Sequence, residues 1–454
     1  MKKKNETVSG IVLLAKQSGQ TSFASLSSVK RALSTTKVGH TGTLDSFADG
    51  LLVVLVGRLT HLVPHITNFD KTYIALIEFG SETDTLDPTG TVIKKGRIPT
   101  KEEVLSVLPK FLGTIEQVPP AYSALHVDGK RASDLMREGK EVQLQARKIT
   151  ISSIKLLDFS DTYARIEVSC SKGTYIRSLA RDIANELGTV AHLKELRRTR
   201  VGPFELKDAV GAESLFNPEQ KIIESDFYDK IRSHLLDMTP SLTSLCGMDS
   251  CVLSPCYTND FNNGRPLKAK MFVHDFNSDN LKTEIAVFYP DGKFGGVITK
   301  NSHDNKFLLN YGFVIPAAPS KMKLYSWEQI SGGKFEQSFK ASGIALTIGS
   351  FDGPHLGHRA IFDSVISQKQ NNLVPGLLTF TRSLRGYKNP KTYEGDIISL
   401  SQKLTKLSAL GFEFAIVVDF SSEFGRIEGT DFLKIGVTSF LDEFIIHRCH
   451  LIFE

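Results

Sequence analysis

The stretch KVGHTGTLDSFADG, Lys37–Gly50, joins reactive side chains to a backbone that can hold them still. It carries His40, Asp45 and Asp49 among glycines and threonines, and the apolar run Leu51–Val56 follows directly. Gly39 and Gly42 permit tight or left-handed turns, so the segment reads as an ordered loop feeding a short buried strand. A carboxylate fixed on such a loop can serve as a nucleophile, because functional side chains concentrate on loops held by a rigid scaffold. Taken alone, Asp45 reads more readily as the cap of a following element, and His40 as a loop histidine bonded to backbone. A second constellation is His355-Leu-Gly-His358, directly after an apolar run. Two imidazoles at a strand-to-helix turn suit the binding of phosphate.

Composition bounds what these groups can belong to. A chain of 454 residues with 41% hydrophobic and 23% charged content is an ordinary globular protein, long enough for about three domains. Its net charge of +5 permits a nucleic-acid partner without requiring one. The five cysteines are an odd number spread along the chain, which fits free thiols in a reducing compartment. Cys246, Cys251 and Cys256 lie close together but lack the tight pairing and flanking histidine of a zinc site, so no metal is expected. The apolar run near the start, Ile11–Ala15, is too short for a signal peptide, and no run reaches membrane-spanning length. The cytoplasm is the default location.

The elements that must position these residues come next. Ser9–Lys16 reads as a strand, and Thr21 or Ser22 caps a helix to about Leu33. Lys71–Gly80 alternates as a strand, with Tyr73 near its start. Thr100 opens a capping box with Glu103, and Lys148–Phe159 and Ala164–Cys170 form a hairpin-like pair. Thr174–Leu187 is an amphipathic helix with Ile176, Leu179, Ala180, Ile183 and Leu187 on one side, ended by Gly188. Arg177 falls off that stripe and, unaided, reads as a solvated charge. Without regular βαβ alternation, this half is α+β with a largely antiparallel sheet. From about Leu235 a small β domain follows, with a hairpin over Glu284–Thr299. Pro316–Ser320 is a linker. After Met322, apolar strands Ala345–Ile348, Val374–Phe380 and Phe414–Val418, with a helix near Leu400–Leu410, predict a parallel α/β sheet.

GHTGTLD followed by an apolar strand resembles the signature loop of the TruB family of tRNA pseudouridine synthases. KQSGQTS (Lys16–Ser22), KTYIALIEFGSETDTLDPTG (Lys71–Gly90), PPAYSALHVDGKRASDLMREG (Pro119–Gly139), CSKGTYIRSLARDI (Cys170–Ile183) and HLKELRRTRVGPF (His192–Phe204) resemble the family's other motifs in the same order. Gln17 and Ser46 stand where the family usually has proline, a change in loop stiffness rather than in the reactive group. The resemblance implies a pseudouridine synthase fold over residues 1–236 and a PUA-like RNA-binding domain over 237–318. It implies isomerisation of the T-loop uridine-55 of tRNA without cofactor, with Asp45 as nucleophile on sugar or base. Arg177 then keeps Asp45 ionised. Tyr73 stacks on the flipped base, His40 fills the gap left in the RNA, Leu196 lines the uracil pocket, and Lys16 lies nearby. Lys30, Arg31, Lys37, Lys130, Arg131, Lys194, Arg197, Arg198 and Arg200 fall in or beside the motifs and suit phosphate contacts with the T-arm. A monomer with no membrane association is expected.

GSFDGPHLGH, Gly349–His358, resembles the FAD synthetase module of bacterial bifunctional riboflavin kinase/FAD synthetases, a Rossmann-like nucleotidyltransferase, over residues 322–454. There His355 and His358 grip nucleotide phosphates. The family's later motifs have no counterpart, so a partial and inactive module with weak nucleotide binding is expected. The competing functions are an FMN adenylyltransferase working through this segment and a non-catalytic RNA-binding protein.

Overall fold

The computed structural model describes residues 8–419 except 124, 128–129, 139–141, 143, 218, 220–222, 255–256, 274–275, 277–281, 290, 304–305, 318–321, 332–333, 336–338, 340–342, 352–355 and 382–397. The chain divides into two compact units between Met238 and Thr239.

The first unit is built on a nine-stranded sheet. Its main path runs Gly10–Lys16, Asp49–Val56, Ala191–Val201, Lys71–Phe79, Tyr163–Cys170, Arg147–Phe159, Gly113–Gln117, with Val38–His40 beside Asp49–Val56 and Phe204–Glu205 beside Ala191–Val201. Every pairing is antiparallel except one, where Asp49 and Gly50 run parallel to Arg197 and Arg198. Helices mix with the sheet, so the unit is α+β. Asp49–Val56 is buried along seven of its eight residues, which is why it reads as a continuous apolar run. Tyr163–Cys170 alternates half-buried and buried residues, as one covered face requires.

Two apolar clusters hold the sheet. One joins Leu44, Tyr73, Ala75, Ile77, Ile166, Val168, Leu193 and Leu196 to the helix Ile176–Glu186 through Ile176, Leu179, Ala180 and Ile183. These positions recur at three and four residues, the spacing that places them on one side. The other joins Val12, Leu14, Leu52, Val54 and Val56 to Leu26 and Val29 of the helix Ser22–Ala32. Thr21 caps that helix by accepting the Ala24 N–H at 3.1 Å.

The second unit holds two sheets. One runs Phe272–Val273, Asp249–Leu253, Glu284–Phe288, Phe294–His303, Lys306–Val314 and is filled by Phe261, Phe272, Tyr289 and their neighbours. The other has four strands, all paired parallel, in the order Lys323–Ser326, Phe414–Val418, Val374–Phe380, Ile344–Ile348. The helix Leu400–Leu410 packs into it through Leu404 and Leu407, starting at a Ser399–Gln402 capping box and ending at Gly411 with φ +110°. Cys170 and Cys251 are buried free thiols, Cys246 is a half-buried one, and Cys256 and Cys449 lie outside the described residues. No helix among the described residues is long and apolar enough to cross a membrane.

Candidate active site

The loop between Val38–His40 and Asp49–Val56 is braced from several sides. Ser22 accepts the Leu44 N–H at 2.9 Å and donates its hydroxyl to the Leu44 carbonyl at 3.0 Å. The Gly19 N–H reaches the Ser46 carbonyl at 2.8 Å, and the Ser18 hydroxyl reaches the Phe47 carbonyl at 2.7 Å. Lys16, 1% exposed, sends its ammonium to the carbonyls of Ala48 at 2.5 Å and Ser46 at 3.3 Å. Burial lowers that lysine to about 8, partly opposed by Asp49 and Asp45. Lys16 therefore grips the loop's backbone, with its charge bearing on Asp45.

Asp45 sits on this braced loop with its side chain 36% exposed, facing an Arg177 side chain that is 5% exposed. Arg177 Nη2 donates to Asp45 Oδ1 at 3.0 Å. Its Nε lies 2.9 Å from Oδ2 but out of line for a hydrogen bond. The guanidinium also donates to Asp87 Oδ2 at 3.3 Å, to the Thr85 carbonyl at 2.9 Å and to the Tyr122 carbonyl at 3.0 Å. This corrects the reading of Arg177 as a solvated charge: neighbours from three distant segments cover it. Burial pushes the Asp45 carboxyl above the ordinary range, Arg177 pulls it back, and Asp87 adds to the rise.

Asp87 carries no role in the sequence reading. Its Oδ1 accepts from the Thr85 hydroxyl at 2.8 Å, the Thr89 N–H at 3.0 Å and the Thr89 hydroxyl at 2.5 Å. An Asp flanked by threonines two residues away is a turn-forming pattern that could have flagged it. The turn holds Leu86 at φ +61°, a conformation costing a residue with a Cβ roughly 1–2 kcal/mol. The Leu193 N–H bonded to the Leu86 carbonyl at 3.1 Å helps to keep it there.

Tyr73, 9% exposed, and Leu196, 7% exposed, share the apolar cluster with Leu44. Burial raises the Tyr73 phenol, and Arg198 works against that rise. Burial lowers the His40 imidazole and Arg198 lowers it further, which favours its neutral form. Lys16, His40, Asp45, Tyr73, Arg177 and Leu196 thus all lie in the first unit, on or against the loop and its sheet.

The basic residues split. Lys37, Lys194 and Arg200 are exposed, and so is Arg31, which pairs with Glu224 at 3.3 Å. Lys30 is half-buried, over the Phe23 ring at 4.8 Å. Arg197 is engaged by Asp49, Nε to Oδ1 at 2.7 Å and Nη2 to Oδ2 at 2.9 Å. Arg198 is 1% exposed and points its donors at backbone carbonyls, so it does not face phosphate. The side chains of Lys130 and Arg131 lie outside the described ones, as does His355. His358, in the second unit, meets the Phe351 ring edge-on at 5.5 Å and stacks on Phe362 at 6.1 Å.

The profile of the TruB family pseudouridylate synthase N-terminal domain matches residues 30–176, and that of the tRNA pseudouridylate synthase B C-terminal domain matches 177–243. Together with a loop-borne Asp facing a buried Arg, these matches define a pseudouridylate synthase. The tRNA pseudouridine synthase B of Treponema denticola is 42% identical over 316 residues, 61% of this chain and 88% of that one. The Bordetella parapertussis protein of the same name is 48% identical over 218 residues, 47% of this chain and 89% of its own. The chain belongs to the TruB family of tRNA pseudouridine synthases and is an isomerase that makes pseudouridine. A profile described as FAD synthetase matches residues 338–443. A solved Cbf5–Nop10–Gar1 complex is 22% identical over 67% of this chain and 84% of that one at a TM-score of 0.46, too slight a likeness to bear on the fold.

Proposed function

We propose that this enzyme isomerises uridine-55 in the T-loop of tRNA to pseudouridine, with Asp45 as the nucleophile. The observation that carries the assignment is a carboxylate one-third open to solvent, held on a braced loop against an almost wholly buried arginine. The reaction breaks the bond from the sugar to the uracil nitrogen and remakes it to carbon, with no net redox change. Asp45 supplies the electron pair that forms the covalent intermediate. Arg177 orients that carboxylate and favours its charged form against burial. Tyr73 and Leu196 accept the flipped base, Tyr73 by stacking, and His40 fills the gap left in the T-loop. Lys16 keeps the loop in shape. Exposed Lys37, Lys194 and Arg200 suit backbone phosphates of the T-arm. In this reading residues 1–236 form the catalytic domain, 237–318 a PUA-like RNA-binding domain and 322–454 a partial Rossmann-like nucleotidyltransferase domain. The protein acts as a cytoplasmic monomer. Incubating purified protein with tRNA and no cofactor, then mapping pseudouridine, tests the proposal; no product at the T-loop would sink it.

A second reading is favoured by the FAD synthetase match over residues 338–443. It gives the second unit a nucleotide-binding role through His355 and His358. Supplying ATP, magnesium and FMN and assaying for FAD and pyrophosphate tests it separately.

A further inference from the structure

We infer that Arg198 is a positioning residue of the isomerisation, clamping the two ends of the loop that carries Asp45. Its Nε donates to the Leu51 carbonyl at 2.8 Å and its Nη2 to the Gly42 carbonyl at 3.1 Å. Those carbonyls stand on opposite sides of Asp45 in the chain, so one planar group ties both ends of the loop. The main chain of Arg198 closes the same frame. A Cβ at Gly50 would lie 2.6 Å from the Arg198 nitrogen and 2.4 Å from its oxygen, and Gly50 has φ +112°. Gly42, at φ +101°, has Arg198 Nη1 3.5 Å from its would-be Cβ. The Arg198 main chain thus leaves no room for a side chain at Gly50, and the left-handed backbone at Gly42 favours glycine there.

The clamp also reaches the base-binding side. Across the sheet, Arg198 is the register partner of Tyr73. Its charge bears on the Tyr73 phenol, the His40 ring and the Lys16 ammonium. Among the described residues no carboxylate pairs with it; the Leu51 and Gly42 carbonyls accept from this almost wholly buried guanidinium. A group with 1% exposure and donors spent on carbonyls is not a phosphate contact. Within the run Arg197-Arg198-Thr199-Arg200, Arg200 is exposed, Arg197 and Thr199 are half-buried, and only Arg198 is buried. Lysine is no substitute, because a single ammonium lacks the flat fork that reaches two carbonyls at once.

The inference rests on the isomerase reading, and the test separates the two. In the full chain, Arg198→Lys should lower the single-turnover rate at saturating tRNA by roughly 10- to 100-fold, since about 1 Å of misplacement can cost that much. Its slope of log affinity against log salt should match the wild type, whereas losing one phosphate contact flattens it by about 0.9; Arg200→Gln is the comparison that should flatten it. Hydrogen exchange should quicken across residues 42–51 in Arg198→Lys. Gly42→Ala disturbs the same clamp from the loop side with Arg198 in place, and should show the same rate loss with an unchanged salt slope. A wild-type rate in either variant overturns the inference, as does unchanged loop exchange or a defect confined to the salt slope. If the wild-type protein makes no pseudouridine, the isomerase reading fails, and loop exchange in Arg198→Lys still decides whether the clamp exists.

Discussion

Replacing Arg177 with methionine should cost stability as well as turnover, and the size of the loss follows from what the guanidinium touches. Methionine matches much of the aliphatic volume but none of the donors. Asp87, whose side chain is 8% exposed, is left as a buried carboxylate without its cation. Breaking one side of a buried pair costs about 3–5 kcal/mol. The carbonyls of Thr85 and Tyr122 also lose donors, at roughly 1–3 kcal/mol each if nothing replaces them. Asp45 is open enough for water to repair its share. With water replacing the lost donors at the two carbonyls, the stranded carboxylate sets the scale at about 4 kcal/mol, and with about 2–4 °C per kcal/mol for a unit of this size the melting temperature should fall by roughly 8–16 °C. Calorimetry on the full chain, following the transition of the first unit, measures it. Adding Asp87→Asn should return part of the loss, because it removes the stranded charge. A melting temperature within about 2 °C of wild type, on the same scale, would refute the buried network. It would restore the reading of Arg177 as a solvated charge.

Other outcomes follow from the same geometry. Asp45→Asn should abolish pseudouridine formation while tRNA binding, measured by filter retention, holds; substantial turnover by the variant removes the nucleophile assignment. The Asp45 carboxyl titrates above the ordinary range because of burial, so the folded protein holds that proton more tightly than the unfolded chain does. Activity should therefore rise with pH through that raised value, while the group's contribution to stability is lost over the same window. Since the Asp87 charge adds to the rise, Asp87→Asn should move the acid limb of the single-turnover profile to lower pH; a shift upward or none contradicts the coupling. Deleting residues 322–454 should leave tRNA isomerisation near the full-chain rate, because Asp45, Tyr73, Arg177 and Leu196 all precede Met238. Loss of activity in a folded deletion variant would show that the parallel four-stranded sheet is needed.

What could be read without coordinates was local. Asp49–Val56 declares itself because all its side chains after Asp49 and Gly50 are apolar. Leu400–Leu410 declares itself through its cap, its leucines and its terminal glycine. Ala191–Val201 does not, although it lies in the middle of the sheet. Its sequence, AHLKELRRTRV, is rich in charge, and register shifts at Leu193/Glu195 and Arg198/Arg200 break the alternation that would mark a strand. The burial of Arg198 and Arg177 is invisible for a different reason. A hydrophobic stripe says which side of an element faces the core, but not which distant carbonyls or carboxylates come to meet a charge.

The two missing prolines show the same divide from the other side. Gln17 and Ser46 imply a softer loop when only backbone freedom is considered. In the folded chain the Gln17 amide donates to the Ser214 hydroxyl at 3.1 Å, and the Ser46 carbonyl accepts from Gly19 and Lys16 at 2.8 and 3.3 Å. Stiffness that a pyrrolidine ring would supply from within the chain is here supplied by partners far away in sequence. The distinction has a physical consequence. A ring restricts the unfolded chain as well as the folded one, whereas these hydrogen bonds exist only when the strands around them are in register. The precision of Asp45 in this protein is thus tied to the integrity of the sheet beneath it, and disturbance at Lys16, Gln17 or Ser214 should be felt at the carboxylate.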